Sequence, residues 1–201
     1  MPEPAVVIAP IVEGKGEEDA LPILIRKIAQ ERGVYPRIAK PFRLDAGKMM
    51  KPDELARAIS FQSTRVGPVG GVLVLRDGDD KNMTCVDIAD RLRAASSTGV
   101  NARVEVVVAI QEYESWFLAS MDSLRSHSSV RDDAEYLGDP ESPRDAKGRL
   151  RDMMTESYRE TLHQARFSSL IDLQQAGPRS RSLRRLIHAV ELLCGTSGVR
   201  E

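Results

Sequence analysis

The sequence predicts an α/β protein: a mainly parallel sheet of about four strands flanked by helices, followed by a helical C-terminal extension. Three observations point there. Short apolar runs alternate with stretches of helical spacing through roughly the first 120 residues, the signature of parallel α/β units. The clear apolar runs stop at turns rich in glycine and acids. Beyond about Met121 no strand-like run occurs.

Val6 to Val12 reads as a continuous buried strand. After the turn Glu13-Gly14-Lys15-Gly16, the residues Leu21, Leu24, Ile25 and Ile28 fall at i, i+3, i+4 and i+7 and mark one face of a helix ending near Gly33. Pro22 restricts where that helix begins, because proline is comfortable only in a first turn. Arg37 to Leu44 reads as a second strand, which Pro41 confines to an edge or an irregular path. Pro52 opens a helix with a short stripe, Leu55, Ala58 and Ile59, that ends at Gln62. Gly70-Gly71 then gives way to Val72-Leu73-Val74-Leu75, the clearest buried strand, ending in Arg76-Asp77-Gly78-Asp79-Asp80. A helix from about Met83 to Ala95 takes Val86, Ile88, Ala89 and Leu92 as its core face, and Gly99 closes it. The strand Val104 to Ile110 runs into Gln111-Glu112-Tyr113-Glu114-Ser115-Trp116-Phe117, where helical spacing returns and the aromatic residues read as core anchors. Helices are predicted over 144–154, 156–170 and 179–194. No Gly/Ser linker separates the parts, so 1–120 reads as an α/β domain and 121–201 as a helical extension packed on it in one structural unit.

Composition narrows the class. The chain carries 29 Lys+Arg against 30 Asp+Glu, a net charge of −1, which argues against a polybasic coat protein or a polyacidic tail. With 41% hydrophobic and 29% charged residues it has an ordinary globular composition. The opening apolar run, Ala5 to Val12, is too short to span a bilayer, and no basic segment precedes it as in a signal peptide. Cys85 and Cys194 are far apart with no CxxC spacing, so neither a zinc site nor a disulfide framework is expected, and the chain reads as cytoplasmic with reduced thiols. His127, His163 and His188 have no spaced partner and read as surface or structural residues. Near-neutrality conceals a sorting of charge. Acids gather at the strand ends, whereas ten Arg+Lys face five acids between Ser142 and Val190.

In a parallel sheet, ligands bind outside the carboxyl ends of the strands, where the loops converge and helix N-termini point. The first strand delivers Glu13 there, with Glu17 and Glu18 behind it; the strand at 72–75 delivers Asp77, Asp79 and Asp80; the strand at 104–110 delivers Glu112 and Glu114. Acids held so close repel one another and raise their own pKa values unless a cation intervenes. Carboxylates with no Cys and no nearby His suit Mg²⁺ or Mn²⁺ rather than Zn²⁺. Gly78 between Asp77 and Asp79 leaves room for the backbone to approach a metal or a phosphate. The bland account is that such acids merely cap the following helices. Gly14-Lys15-Gly16 lacks the spacing of a Walker A loop or a dinucleotide fingerprint.

A strand followed by Glu-Gly, and a later hydrophobic strand ending in Asp-x-Asp, resembles the Toprim domain of topoisomerases, primases, recombination proteins and OLD-family nucleases. The residues that carry the resemblance are Val12 to Glu17 and Leu75 to Asp79. The whole chain also resembles the bacterial Toprim-like proteins grouped as domain of unknown function 4276, in which a later strand runs into an E-x-E-x-W stretch, here Glu112-Tyr113-Glu114-Ser115-Trp116. The match covers roughly residues 5 to 120 through motifs and the tail loosely, through Lys147, Phe167 and the arginine-rich final helix. It departs at Gly16, where relatives often place Ser or Thr, and at Pro22. The resemblance implies a Toprim-like Rossmannoid fold. It implies Glu13 as general acid/base or metal ligand, Asp77 and Asp79 as the Mg²⁺-binding pair, Glu17 as an additional ligand, and Glu112 or Glu114 as completing a second metal position. Lys15, beside the glutamate, would steady a phosphate or simply be a solvated turn residue.

The leading expectation is an Mg²⁺-dependent (or Mn²⁺-dependent) nuclease acting on DNA or RNA, in a bacterial defence or toxin-like system with an ATPase partner; a homodimer is left open. Lys147, Arg179, Arg181, Arg184 and Arg185 would contact phosphates, or else form a solvated face. The alternative is a non-catalytic metal-binding module that regulates or is held by a partner, with Leu183, Leu186, Ile187, Val190 and Leu193 as an apolar patch as readily as a core stripe. A third reading, phosphatase-like work on a small phosphorylated substrate, is disfavoured by a glutamate where such enzymes place a nucleophilic aspartate.

Overall fold

Six consecutive buried residues form the strand on which the sheet is laid, β1 (Val7–Val12). The computed structural model describes residues 5–96 and 101–196; the helix-closing role expected for Gly99 lies outside the described residues. After β1 come α1 (Glu17–Gln30), β2 (Arg37–Ile38), β3 (Phe42–Arg43), α2 (Ala46–Met49), α3 (Pro52–Ser63), β4 (Gly70–Asp77), α4 (Cys85–Ser96) and β5 (Arg103–Ala109). The rest of the described chain is helical: α5 (Ser115–Ala119), α6 (Met121–Leu124), α7 (Ala146–Asp152), α8 (Glu160–Leu170), α9 (Leu173–Arg179) and α10 (Arg181–Cys194). Every strand pairing is parallel, in the order β2-β1-β4-β5, with β3 beside β1 on the β2 side. The α/β class and the parallel sheet are as the sequence predicts.

Strand alternation sends side chains to two cores, because successive residues point to opposite faces. Ile8, Val12, Leu73, Leu75, Val107 and Ala109 join α1, α5, α8 and α10 in one; Ala9, Ile11, Val72, Val74, Val106 and Val108 meet α3 and α4 in the other. Both faces of the sheet are therefore covered, which is why its strands read as unbroken apolar runs.

The expected second strand is split. Residues 39–41 interrupt it, leaving β2 and β3 as two-residue pieces along one edge of β1. Gln62, which ends the apolar stripe of α3, repairs the gap: it is fully buried, and its Nε2 donates to the carbonyls of Pro10 (2.6 Å) and Lys40 (3.1 Å). Gly70 opens β4 at φ +115°, where an added Cβ would lie 1.9 Å from the Val7 carbonyl oxygen, so only glycine lets β4 start against β1.

Three sequence expectations need correction. Helix α1 begins at Glu17, so Pro22 lies within its second turn and not the first. The first residue of the helix is tied to the preceding turn, the Glu17 carboxylate accepting from the Glu13 and Gly14 N–H groups. Val86 is 68% exposed and off the core face of α4, where Ala95 replaces it beside Ile88, Ala89 and Leu92. In the C-terminal part, the helices predicted over 144–154 and 156–170 shorten to α7 and α8. The segment before the last helix forms a separate α9, and Ser180 caps α10 by accepting from the Leu183 N–H.

The stripe of α10, Leu183, Leu186, Val190 and Leu193, is buried against the sheet and α1 and not displayed as a patch. Its first turn is fastened by Glu141, a buried carboxylate whose Oε1 accepts from the Ser182 N–H (2.7 Å), the Ser182 hydroxyl (2.6 Å) and the Ser180 hydroxyl (2.7 Å). An anion at a helix N-terminus is favoured by the unpaired amides and the helix dipole. Ser182 in turn accepts from the Trp116 indole N–H (2.8 Å), tying α10 to α5. Among the described residues no helix is long and apolar enough to cross a membrane. Removing the carboxylate strands three buried donors, so Glu141→Ala is expected to lower stability by about 3 kcal/mol. Urea unfolding followed by Trp116 fluorescence measures it; a loss within about 0.5 kcal/mol, as for a plain surface change, would contradict this role.

Candidate active site

Three parallel strands, β1, β4 and β5, end at one edge of the sheet, and each hands an acid to the loop that follows. Glu13 comes directly after β1, Asp77 is the last residue of β4, and Glu114 lies between β5 and α5. Glu17 joins them from the first position of α1. With Gly14, Lys147, Glu160 and Gln164 these four acids line one small cavity of about 120 Å³.

Three of the four acids are held by specific bonds. Glu17 Oε2 accepts from the backbone N–H groups of Glu13 (2.9 Å) and Gly14 (3.1 Å), folding the Glu-Gly turn back over the start of α1. Asp77 Oδ1 accepts from the Tyr113 N–H (2.9 Å), which joins the end of β4 to the turn after β5. Glu114 Oε1 accepts from the Tyr158 hydroxyl (2.8 Å) and, at 3.4 Å, from the Gln164 amide. Glu13 Oε2 is buried and has no hydrogen-bond partner.

Burial sets the electrostatics. It raises the carboxyl of Glu17 to about 7, with the nearby Glu13 and Glu114 adding to the rise against the two backbone bonds. Burial likewise lifts Asp77 well above the usual carboxylate range, with Glu17, Glu114 and Glu13 pushing it further. Glu114 is raised by burial despite Lys147 and Tyr158, and Glu13 by burial despite Arg76. Lys147 supplies the counter-charge. Burial disfavours its ammonium, but Glu114, Glu160 and Glu112 outweigh that and raise its pKa above the ordinary lysine range. Its Nζ donates to Glu160 Oε1 at 2.6 Å.

Not every expected residue comes to the cavity. Asp79 is exposed in the turn after β4, off the cavity lining. Glu112 caps α7 instead, accepting from the Lys147 N–H at 2.9 Å. Lys15 projects outward and pairs with Glu18 at 2.6 Å. Of the arginines, Arg179 donates to the carbonyls of Ala119 (3.3 Å), Tyr136 and Gly138 (3.1 Å); Arg184 donates to those of Gly177 (2.7 Å) and Pro178 (2.8 Å); and Arg185 pairs with Glu105 (2.6 Å). Those three brace the helical part. Arg181 is exposed at the start of α10.

Sequence reasoning missed Tyr158, Glu160 and Gln164, which form a roof from the C-terminal part. Their only sequence signal is the helical spacing that puts Glu160 and Gln164 on one face of α8. The same contact explains Gly16, because a Cβ there would meet Gln164 Oε1 at 2.2 Å and Glu160 Cβ at 3.0 Å. A side chain at position 16 would push the roof off the acids.

Residues 12–191 match the family model described as Domain of unknown function (DUF4276). The chain belongs to that family. The matched span takes in every residue that lines the cavity. No curated protein matches the chain. Among solved structures it is similar to the C-terminal region of the Burkholderia pseudomallei OLD protein, at 16% identity and a TM-score of 0.47, covering 93% of this chain and 97% of that one. It is also similar to the C-terminal region of the Xanthomonas campestris pv. campestris OLD protein, at 11% identity and a TM-score of 0.41, covering 95% and 93% respectively.

The donor set suits a hard divalent cation: only oxygen atoms, four carboxylates with raised pKa values, and one buried carboxylate oxygen without a partner. Among the described residues no three acids already stand at ligand spacing, so a cation would have to draw them in. In the metal-free chain the acids carry a penalty that is absent only well below their ordinary values, 4.5 for glutamate and 3.8 for aspartate, where they are protonated whether folded or not. The penalty grows as pH rises through the elevated folded values, about 7 for Glu17. Thermal unfolding in EDTA should therefore show a Tm that falls between pH 5 and pH 8, and millimolar Mg²⁺ should recover most of the loss at pH 8. A Tm that rises over the same interval would show that the acids are not strained together.

Proposed function

We propose that the protein is a divalent-cation-dependent hydrolase of phosphodiester bonds in nucleic acid. The observation that carries this reading is the convergence of Glu13, Glu17, Asp77 and Glu114 on one cavity beside Lys147, at the carboxyl edge of a parallel sheet. Glu13, Glu17, Asp77 and Glu114 would hold Mg²⁺ or Mn²⁺, and Asp79 would join from the adjacent turn. When bound, such an ion supplies an activated water and neutralises charge that grows on phosphate oxygens.

The chain's own groups divide the remaining work. The Glu13 carboxylate, which lines the cavity and has a raised pKa, would take a proton from the attacking water. Lys147 Nζ, held beside the acids by Glu160, would contact a non-bridging phosphate oxygen of the substrate. Tyr158 and Gln164 keep Glu114 turned inward. Arg181, with Lys15 freed from Glu18, would meet the backbone of the strand beyond the scissile phosphate.

The narrowness of the cavity favours a second reading. With Lys147 bridged to Glu160 over acids that are not at ligand spacing, the same residues could bind a cation without turnover and serve a regulatory module. The two readings separate in one assay. Purified protein with Mn²⁺ or Mg²⁺ is expected to nick plasmid DNA or cleave tRNA. Asp77→Asn and Glu13→Gln should each reduce the rate by at least about a hundredfold, Asp77→Asn without lowering Tm. Equal cleavage by the variants would assign the activity elsewhere, and stabilisation by Mg²⁺ with no cleavage of DNA, RNA or nucleotides would favour the regulatory module.

A further inference from the structure

Arg76 is the one charged residue in a row of β4 that should be apolar. The row that faces α3 and α4 runs Val72, Val74, Arg76, and Arg76 lies opposite Val108 of β5. It is 4% exposed. Its Nη2 donates to Asp80 Oδ2 at 3.2 Å, and its Nε stands 3.9 Å from Glu13 Oε2, close enough for attraction and too far for a hydrogen bond. Nε, Nη1 and Glu13 Oε2 are all buried without a hydrogen-bond partner. Orphaned donors and acceptors around a buried ion pair are costly, and an apolar side chain of similar size would fill this row at no such cost. Stability therefore does not account for an arginine here.

The position does. Glu13 closes β1, and Asp80 belongs to the turn that follows Asp77. That turn is held by its own bonds, from the Asp80 N–H to the Gly78 carbonyl (2.9 Å) and from the Asn82 N–H to Asp80 Oδ1 (2.9 Å). One rigid guanidinium thus spans the ends of two neighbouring strands. We propose that Arg76 is a positioning residue: it clasps Glu13 and the Asp77–Asp80 turn together, and so sets the spacing between the two acid-bearing strand ends of the cavity. The distance from Nε to Glu13 Oε2 needs to shorten by only about 1 Å for the clasp to close into a hydrogen bond. A lysine would keep the charge but lose the planar fork that reaches both carboxylates. For turnover, the proposal rests on the hydrolase reading above; the clasp itself does not.

Two measurements test it. In the metal-free full-length protein, urea unfolding of Arg76→Met, Glu13→Gln and the double variant forms a double-mutant cycle. The change that Arg76→Met makes in the unfolding constant, whichever its sign, should differ at least tenfold once Glu13 is already Gln; additivity within twofold overturns the clasp. In Mn²⁺-dependent cleavage, Arg76→Lys should lower kcat at least tenfold with KM changed less than threefold, because charge without the fork does not hold the spacing. Full activity in Arg76→Lys would reduce the residue to a simple counter-charge and overturn the proposal. Coupling in a chain that cleaves nothing would sink the hydrolase reading and leave the clasp standing.

Discussion

Carboxylates confined together cannot all be ionised without a positive charge among them, and the architecture around this cavity answers that constraint. Three parallel strands end side by side, so their loops bring Glu13, Asp77 and Glu114 to one edge, and the start of α1 adds Glu17. Burial then raises all four. The chain meets the conflict from two sides, with Lys147 inside the cavity and Arg76 behind Glu13. Neither cation is long-range decoration. Each is buried or half-buried, where Coulomb attraction is little screened.

The helical C-terminal part belongs to the same economy of charge. It shares the core of α1 and the sheet through α8 and α10, it brings Lys147, Glu160 and Gln164 to the cavity, and its Tyr158 hydroxyl holds Glu114. Gly16 marks the contact, since the close approach of α8 leaves no room for a side chain at the start of α1. Four of the ten basic residues between Ser142 and Val190 are committed to internal bonds. Arg179, Arg184 and Arg185 reach carbonyls and Glu105, and Lys147 reaches the cavity.

Much of this is legible in the sequence, for definite physical reasons. Buried parallel strands read as apolar runs, so β1, β4 and β5 stand out, and the acids at their ends follow from chain order alone. Tyr113, Trp116 and Phe117 read as core because their spacing matches a helix face, and all three are fully buried. What the sequence conceals depends on contacts between distant segments. Gln62 looks like the end of a stripe until its bonds to Pro10 and Lys40 are seen. Glu112 and Glu114 are equivalent in the sequence, yet one accepts from the first turn of α7 and the other enters the cavity, where Tyr158 holds it. Val86 fits a helical stripe but falls where no layer covers α4. Arg76 carries no signal, since an arginine before an acidic turn is ordinarily a surface residue.

The central claim is that the acids converge on a divalent cation, and crystals grown in Mn²⁺ test it directly through the anomalous signal of the ion. The account predicts a peak bounded by Glu13, Glu17, Asp77 and Glu114, with Lys147 turned away from the space it fills without metal. An empty cavity at saturating Mn²⁺, with Lys147 still bridged to Glu160, would contradict it.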